Sequence, residues 1–311
     1  LLNHIGNIEE VFEGYATKPG VRLNGASGGV ITGALRGLLK LGLIDGAVVN
    51  VPDPEKPGCG KSIFAQTEED IFRSAKSIYC MTEIKSGLKD AFSNGHTRIA
   101  VVGLPCQISS LEKDERIVAT FGLMCGHNVT VDYIQHVLEA LHIDYGSVAK
   151  VDYRGSGWFP FNCRIQMKNG TLYEIPWSTS HFKTLWQTNY ACPKMCFDCS
   201  DFAAESADIA CCDAWLDEHK GNADGISIVL SHTKKGTSLI ETLRNADFLT
   251  LQEAPVSVIL RAQAAQIRRK MNRPGITITN IVDSSLLSSH LESSVGRSVV
   301  LDTMEKGSSL R

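Results

Sequence analysis

No stretch of this 311-residue chain is apolar for long enough to cross a bilayer unbroken. The longest candidate, VITGALRGLLKLGLIDGAVV from Val30 to Val49, is cut by Arg36, Lys40 and Asp45, whereas a spanning helix needs about 20 mostly apolar residues. No membrane span is expected, and no signal peptide is visible. The chain opens LLNHIGN without a methionine, which leaves upstream targeting open. Excess charge of one sign is also lacking: 31 Lys and Arg against 34 Asp and Glu leave a formal charge of -3. Without a basic surplus, neither nucleic acid nor an anionic membrane surface is implied as a partner. Internal repeats of useful length are absent. The length suits one large domain or two smaller ones, with a core that needs no covalent staples.

Cysteine is too sparse for a small disulfide scaffold, with ten in the chain, and it is unevenly spread. Five of the ten fall within ACPKMCFDCSDFAAESADIACCDAW, residues 191–215. Such clustering favours a metal site in a reducing compartment, hence a cytoplasmic location. Cys192, Cys196 and Cys199 form C-x3-C-x2-C, a spacing at which a short turn can bring thiolates to one centre. The second C-x2-C knuckle of a zinc ribbon is missing. Cys211 and Cys212 are adjacent, and strand neighbours point to opposite faces, so one of them joins a given centre. Local spacing leaves zinc and iron–sulfur open. Iron–sulfur is favoured on chemistry, because a cubane commonly takes a compact run plus a remote ligand such as Cys106 or Cys125. Cys163 reads as a small buried hydrophobe, and for Cys59 and Cys80 that reading and a functional one are balanced.

Residues 24–29, NGASGG, form a glycine-rich turn ahead of apolar positions 30, 31, 34, 35, 38 and 39, the spacing of an amphipathic helix. Gly42 would stop this helix and AVVNV would be the next strand. The turn's backbone N–H groups, the Ser27 hydroxyl and the helix dipole suit a phosphate, and a tight packing turn is the plain alternative. Residues 97–142 read as a strand (RIAVVG), a short helix after Cys106, a strand (IVATFGL), a loop at Cys125 and a helix capped near Thr130. This pattern predicts parallel neighbours and puts Cys106 and Cys125 at the carboxyl ends of their strands, where open α/β sheets bind ligands.

From Val151 the segments shorten and alternate, with a hairpin signal at KNGT, which predicts antiparallel strands. The expected fold is α/β (α+β): a mixed sheet with a parallel β-α-β core in the N-terminal half and a more antiparallel C-terminal half. Three units are expected: an α/β half over 1–150, a β-rich half over 151–250, and a helical, poorly structured tail over 251–311. In that tail PVSVILRAQAAQIRRKMNR reads as one helix whose Arg261, Arg268, Arg269 and Lys270 form a solvated face. Beyond Pro274 the serine-rich sequence predicts a loosely docked terminus.

The order of motifs resembles the coenzyme F420 hydrogenase/dehydrogenase beta-subunit family, whose members are iron–sulfur flavoproteins. The resemblance is carried by GASGGVITGAL (25–35), DGAVV (45–49), SAKSIYC (74–80), VVGLPCQISSL (101–111), GLMCGHN (122–128), DYRGSGW (152–158), CPKMCFDCSD (192–201), ADIACCDAW (207–215) and DGISIVL (224–230). It implies FAD near the GASGG turn, one [4Fe-4S] cluster or two beside it, and coenzyme F420 as the hydride-exchanging substrate. Carried over by position, Asn24, Gly25, Ser27, Gly28, Gly29 and Thr32 would hold the flavin's phosphates or ribityl chain. Lys76 and Tyr79 would line the same pocket. Cys106, Cys196 and Cys199 match the recurrent cluster cysteines, with Cys192 and Cys125 as further ligands. Cys212 stands where many relatives have glycine, and with Cys211 it would serve a second cluster. The ferredoxin-like cysteine run that many relatives carry upstream is missing here, as a truncated or separate subunit would explain.

The resemblance further implies a converter between two-electron and one-electron chemistry, with no acid/base side chain required. His127 would tune a cluster or serve as an ordinary loop histidine. Arg154 would pair a phosphate or the acidic tail of a deazaflavin, or else a structural carboxylate. Among the tryptophans Trp215 is the best stacking candidate, because it follows the cysteines most closely. The implied partners are a hydrogenase, formate dehydrogenase, heterodisulfide reductase or ferredoxin-type subunit in a hetero-oligomer. A ferredoxin-coupled reductase that does not use F420 is the alternative, and a zinc-stabilised interaction module is the reading from another class.

Overall fold

The computed structural model describes residues 5–271. The serine-rich stretch beyond Pro274 lies outside them. Strands β1 (Glu10–Ala16), β2 (Gly46–Pro52), β3 (Gly60–Ala65), β4 (Ile99–Gly103) and β5 (Ile117–Leu123) come first. Strands β6 (Val148–Gly157), β7 (Phe161–Met167) and β8 (Leu172–Pro176) form a separate antiparallel sheet. Strands β9 (Ile209–Asp213), β10 (Ser227–Ser231) and β11 (Leu249–Glu253) return to the first sheet, whose order is β11-β1-β10-β9-β5-β4-β2-β3.

The centre of the large sheet is parallel, through the pairs β2/β4, β4/β5 and β5/β9, and its remaining pairs are antiparallel. This is the mixed architecture expected from the sequence. Strands such as IAVVG are apolar on successive residues because both faces are covered. Alternation sends Val48, Val101, Ala210 and Ile228 into the core on one face, and Ala47, Ala100, Ile209 and Val229 into the core on the other. Helix Val30–Lys40 lays Val30, Ala34, Leu35 and Leu38 on the second face. A third core lies between the small sheet and helices Val131–Ala140 and His181–Thr188.

The segment read as one basic helix is two, Ser257–Ala262 and Ala264–Met271. The break falls at Gln263, whose side-chain amide donates to Asp213 O at 2.6 Å. Val258, Ile259, Ala262 and Ile267 pack into the first core. The solvated face expected of this segment is therefore corrected at Lys270, which is 3% exposed.

Candidate functional site

The glycine-rich turn is shaped by close approach to strands from distant parts of the chain. Gly28 N donates to Ser227 Oγ at 3.0 Å, Ala16 N donates to Gly28 O at 2.8 Å, and Ser27 Oγ donates to Ile226 O at 2.6 Å. A Cβ on Gly28 would lie 2.5 Å from Gly14 O, so no larger residue fits there. Gly29 takes φ +71° at the N-cap of helix Val30–Lys40, in the left-handed region that glycine favours. No side chain caps that helix start, so its first N–H groups are donors without intrahelical acceptors. Asn24 donates to Phe72 O at 3.1 Å, and Thr32 is buried in the first turn of the helix.

Arg154, on β6, joins this turn to β9. Its guanidinium donates to Asp213 at 2.9 and 3.2 Å and to the carbonyl of Ala26 inside the turn. Trp158 Nε1 adds a bond to Asp213 Oδ1 at 2.7 Å. The Arg154 guanidinium lies 4.2 Å from the Phe161 ring centroid and 5.1 Å from that of Trp215. Of the two roles expected for Arg154, the carboxylate pairing is present. Asp213 is the residue that sequence reading missed, although it sits in the ACCDAW motif.

Lys76 and Tyr79 reach the same junction. Lys76 holds φ +75°, uncommon for a residue with a side chain, and its Nζ donates to Asp152 Oδ2 at 2.9 Å and to Gly155 O at 3.2 Å, both on β6. Burial raises the Tyr79 phenol above its ordinary pKa, and the nearby Arg154 charge opposes that shift. Of the expected cofactor residues, Tyr79 and Trp215 stand beside the Arg154 guanidinium, which bonds the turn through Ala26 O, and Lys76 bonds β6 on either side of it, whereas Asn24 bonds Phe72 O.

The cysteines divide. Cys106 is the second residue of the short helix Pro105–Ser109 after β4, and Cys125 follows β5, both at the expected rim. Desolvation raises the Cys106 thiol, and the neighbouring Cys199 and Cys196 raise it further. Burial pushes Cys125 up to about 12, with Cys196, Cys106 and Cys199 adding to the rise and Lys270 opposing it. These four thiols share one electrostatic neighbourhood. Lys270 Nζ donates to Cys199 Sγ at 3.1 Å, a contact between residues 71 apart in the chain. Cys192 makes a local contact, its Sγ lying 3.8 Å from Pro193 O.

Cys211 and Cys212 stand elsewhere, on β9 and on opposite faces of the large sheet. Burial pushes Cys211 up to about 12. Cys212 is raised by burial and then by Asp213 and Cys211, with none of the four rim thiols among its influences. Among the described residues no three His, Cys, Asp or Glu side chains converge tightly enough for a single metal ion. Cys163 is fully buried, its Sγ 3.2 Å from Tyr153 O, as expected of a small core residue.

Aromatic rings run from the Arg154 junction to the cysteine rim. Trp215 and Phe161 stack at 6.1 Å, Phe161 and Trp177 at 5.4 Å, and Trp177 meets Tyr79 at 5.8 Å. Tyr79 then meets Trp186 at 4.7 Å, and Trp186 meets His127, two residues past Cys125, at 4.0 Å. Arg269 bonds the His127 ring at 3.1 Å. Both groups of side chains draw on residues before and after position 150.

Fold and site define an open mixed α/β protein with a glycine-rich turn, a group of thiols after β4 and β5, and a row of aromatic rings between the Arg154 junction and Cys125. The chain belongs to the coenzyme F420 hydrogenase/dehydrogenase beta-subunit family: its N-terminal model matches residues 11–89 and its C-terminal model residues 96–256. It is 28% identical over 255 residues to a coenzyme F420-dependent sulfite reductase of Methanocaldococcus jannaschii, covering 74% of this chain and 37% of that protein. It is 26% identical to a coenzyme F420 hydrogenase subunit beta of Methanococcus voltae, covering 78% of this chain and 84% of that subunit. Among solved structures, a chain from the F420-reducing [NiFe] hydrogenase complex of Methanosarcina barkeri shares the fold, with TM-score 0.67, 20% identity, and coverage of 90% of this chain and 97% of that one. Among the described residues no helix is long and apolar enough to cross a membrane.

Proposed function

We propose that this chain is an FAD- and [4Fe-4S]-containing oxidoreductase subunit that exchanges a hydride with coenzyme F420 and passes single electrons to or from a partner redox subunit. The observation that carries this reading is the pairing of a glycine-turn cradle with a four-thiol group, joined by a continuous set of aromatic rings. The donor chemistry of both sites fits. Uncapped backbone N–H groups at Val30 to Thr32 suit a phosphate, and thiolate sulfur is the donor type that an iron–sulfur cluster takes, with Cys106, Cys125, Cys196 and Cys199 influencing one another but, among the described residues, no three of them close enough for a single metal ion. When bound, the flavin would handle two electrons together and the cluster one at a time.

The chain's own part is to bind and to orient. Asn24, Gly25, Ser27, Gly28, Gly29 and Thr32 form the turn and helix start that would seat the flavin's polar chain. Arg154, locked by Asp213, keeps that turn fixed against β6. Tyr79 and Trp215 offer ring faces, and Lys76 braces β6 through Asp152 and Gly155 O. Cys106, Cys125, Cys196 and Cys199 would be the cluster ligands, with Cys192 next in line. Cys211 and Cys212 carry the weaker case for a second cluster, because the strand holds them apart. A hydrogenase, formate dehydrogenase, heterodisulfide reductase or ferredoxin-type subunit would be the electron partner, in the cytoplasm.

Anaerobic purification followed by visible spectroscopy and iron and sulfide analysis tests the cofactors. Flavin bands over broad absorbance that bleaches on reduction are expected, and a colourless zinc protein overturns the reading. Reduced coenzyme F420 should then bleach the flavin. Bleaching by reduced ferredoxin alone would support the ferredoxin-coupled reductase instead.

A further inference from the structure

Two cysteines that the redox site leaves unused, Cys59 and Cys80, lie side by side. Tyr153 Oη donates to Gly58 O at 2.9 Å and lies 3.4 Å from Cys80 Sγ, so one hydroxyl touches both the residue before Cys59 and the thiol of Cys80. On the other side, a Cβ on Gly60 would lie 2.9 Å from Thr82 Oγ1 and 3.0 Å from Ile78 Cδ1, the residues two positions either side of Cys80. Segment 58–60 therefore runs directly along segment 78–82. Cys59 packs against the core that contains Cys80. Cys80 is 2% exposed, whereas Cys59 is half-buried beside the exposed loop Pro54–Lys56.

We propose that Cys59 and Cys80 form a thiol–disulfide exchange site, in which Cys59 is the attacking and Cys80 the resolving thiol, with low-molecular-weight disulfides as the substrate class. The accessible member meets the incoming disulfide, and the buried member is already positioned to finish the reaction. The Cys80 thiol holds the Cys59 thiol well below its ordinary pKa, to about 7, against the opposing pull of burial and with help from Lys56. That favours the thiolate, the nucleophilic form. Cys80 is in turn raised by Cys59 and by burial, and Asp53, Asp132, Tyr145 and Tyr153 are the other titratable groups facing the pair.

The exchange balances without help from a metal. Cys59 thiolate attacks one sulfur of R–S–S–R, the substrate S–S bond breaks, and the first RS⁻ leaves. Cys80 sulfur attacks Cys59 Sγ, the mixed disulfide breaks, and the second RS⁻ leaves with the Cys59–Cys80 bond formed. The two cysteines lose two electrons, the small disulfide gains them, and both thiol protons pass to the departing thiolates through water. Closure would link the 53–60 loop to the segment that carries Tyr79 and bonds to Val129 through Met81 N. The inference stands independently of the flavin and cluster assignment.

The test is exposure of the full chain, under anaerobic conditions, to oxidised glutathione, followed by alkylation of remaining thiols and non-reducing peptide mapping. A Cys59–Cys80 cross-linked peptide that disappears on reduction is expected, with no lasting glutathione on Cys59. In Cys80→Ser the cross-link should vanish and a stable glutathione adduct should accumulate on Cys59. In Cys59→Ser both should vanish. The wild-type map decides even if a variant folds poorly: free Cys59, or a persistent adduct on Cys59 beside free Cys80, overturns the proposal.

Discussion

The glycine-turn side of the site and the cysteine side are held by different physics. On the turn side the bonds are short and partly charged: Arg154, Asp213, Trp158 and Ala26 form a buried network, and Ser27 and Gly28 bond to β10 and its approach, while Arg154 Nε has no partner among the described residues and the start of helix Val30–Lys40 is left uncapped. On the cysteine side the contacts of Cys192 and Cys199 with backbone oxygens are long, 3.8 Å to Pro193 O and 3.7 Å to Asp201 O. A thiol is a weak hydrogen-bond donor, so such contacts position a sulfur without contributing much stability. The turn side is thus tied by short, charge-assisted bonds, whereas the short contact of Cys199 is the one from Lys270 Nζ at 3.1 Å. Variants on the two sides should fail differently.

Cys196→Ser gives the largest expected effect. It should remove most of the iron and sulfide from the purified protein while moving the unfolding free energy of the iron-free chain by no more than about 1 kcal/mol, as for a modest hydrogen bond exchanged for another. Metal analysis and urea unfolding measure the two halves of that statement. A full iron complement in this variant would break the comparison.

Arg154→Met should do the opposite. Arg154 is almost fully buried and Asp213 about a fifth exposed, so removing the guanidinium strands a carboxylate beside Trp158. The expected loss is about 3 kcal/mol, in the range for breaking a buried pair by deleting one partner, together with reduced flavin content and unchanged iron. A shift of the urea midpoint at constant slope would measure it. Gly29→Ala comes next, at roughly 1–2 kcal/mol for a side chain placed in the left-handed region, because its Cβ would also approach Val21 O at 2.7 Å. Thermal unfolding should show the loss, and the flavin-to-protein ratio should fall with it.

Sequence reading reached these two sides unequally. The helix Val30–Lys40, the parallel pair β4/β5 and the rim positions of Cys106 and Cys125 were legible because each follows from a local period or a strand end. So was the split of Cys211 from Cys212, since alternation along a strand is a property of neighbours. The Arg154–Asp213 pair was not legible: its members are 59 residues apart, and a local pattern cannot say which carboxylate a buried arginine will find. Lys270 was misread for the same reason. A run of basic residues at helical spacing ordinarily faces water, and only the packing of Ile267 into the core turns Lys270 inward.

Lys270 therefore offers the smallest but most discriminating prediction. Its Nζ lies against Cys199 Sγ in a buried setting, so in the cofactor-loaded protein it would place one positive charge beside a thiolate ligand. A cluster gains one negative charge on reduction, and a fixed positive neighbour favours that reduced form. Lys270→Met should lower the midpoint potential by on the order of 50 mV, close to the 59 mV that changes a one-electron equilibrium tenfold. Lys270→Arg should keep most of the wild-type value. Iron content and flavin content should stay unchanged in both, which separates tuning from assembly and is measurable by redox titration followed by electron paramagnetic resonance. If methionine and arginine shift the potential equally, the side chain acts by filling space, and the cysteine side would then be held by packing as the turn side is held by charge.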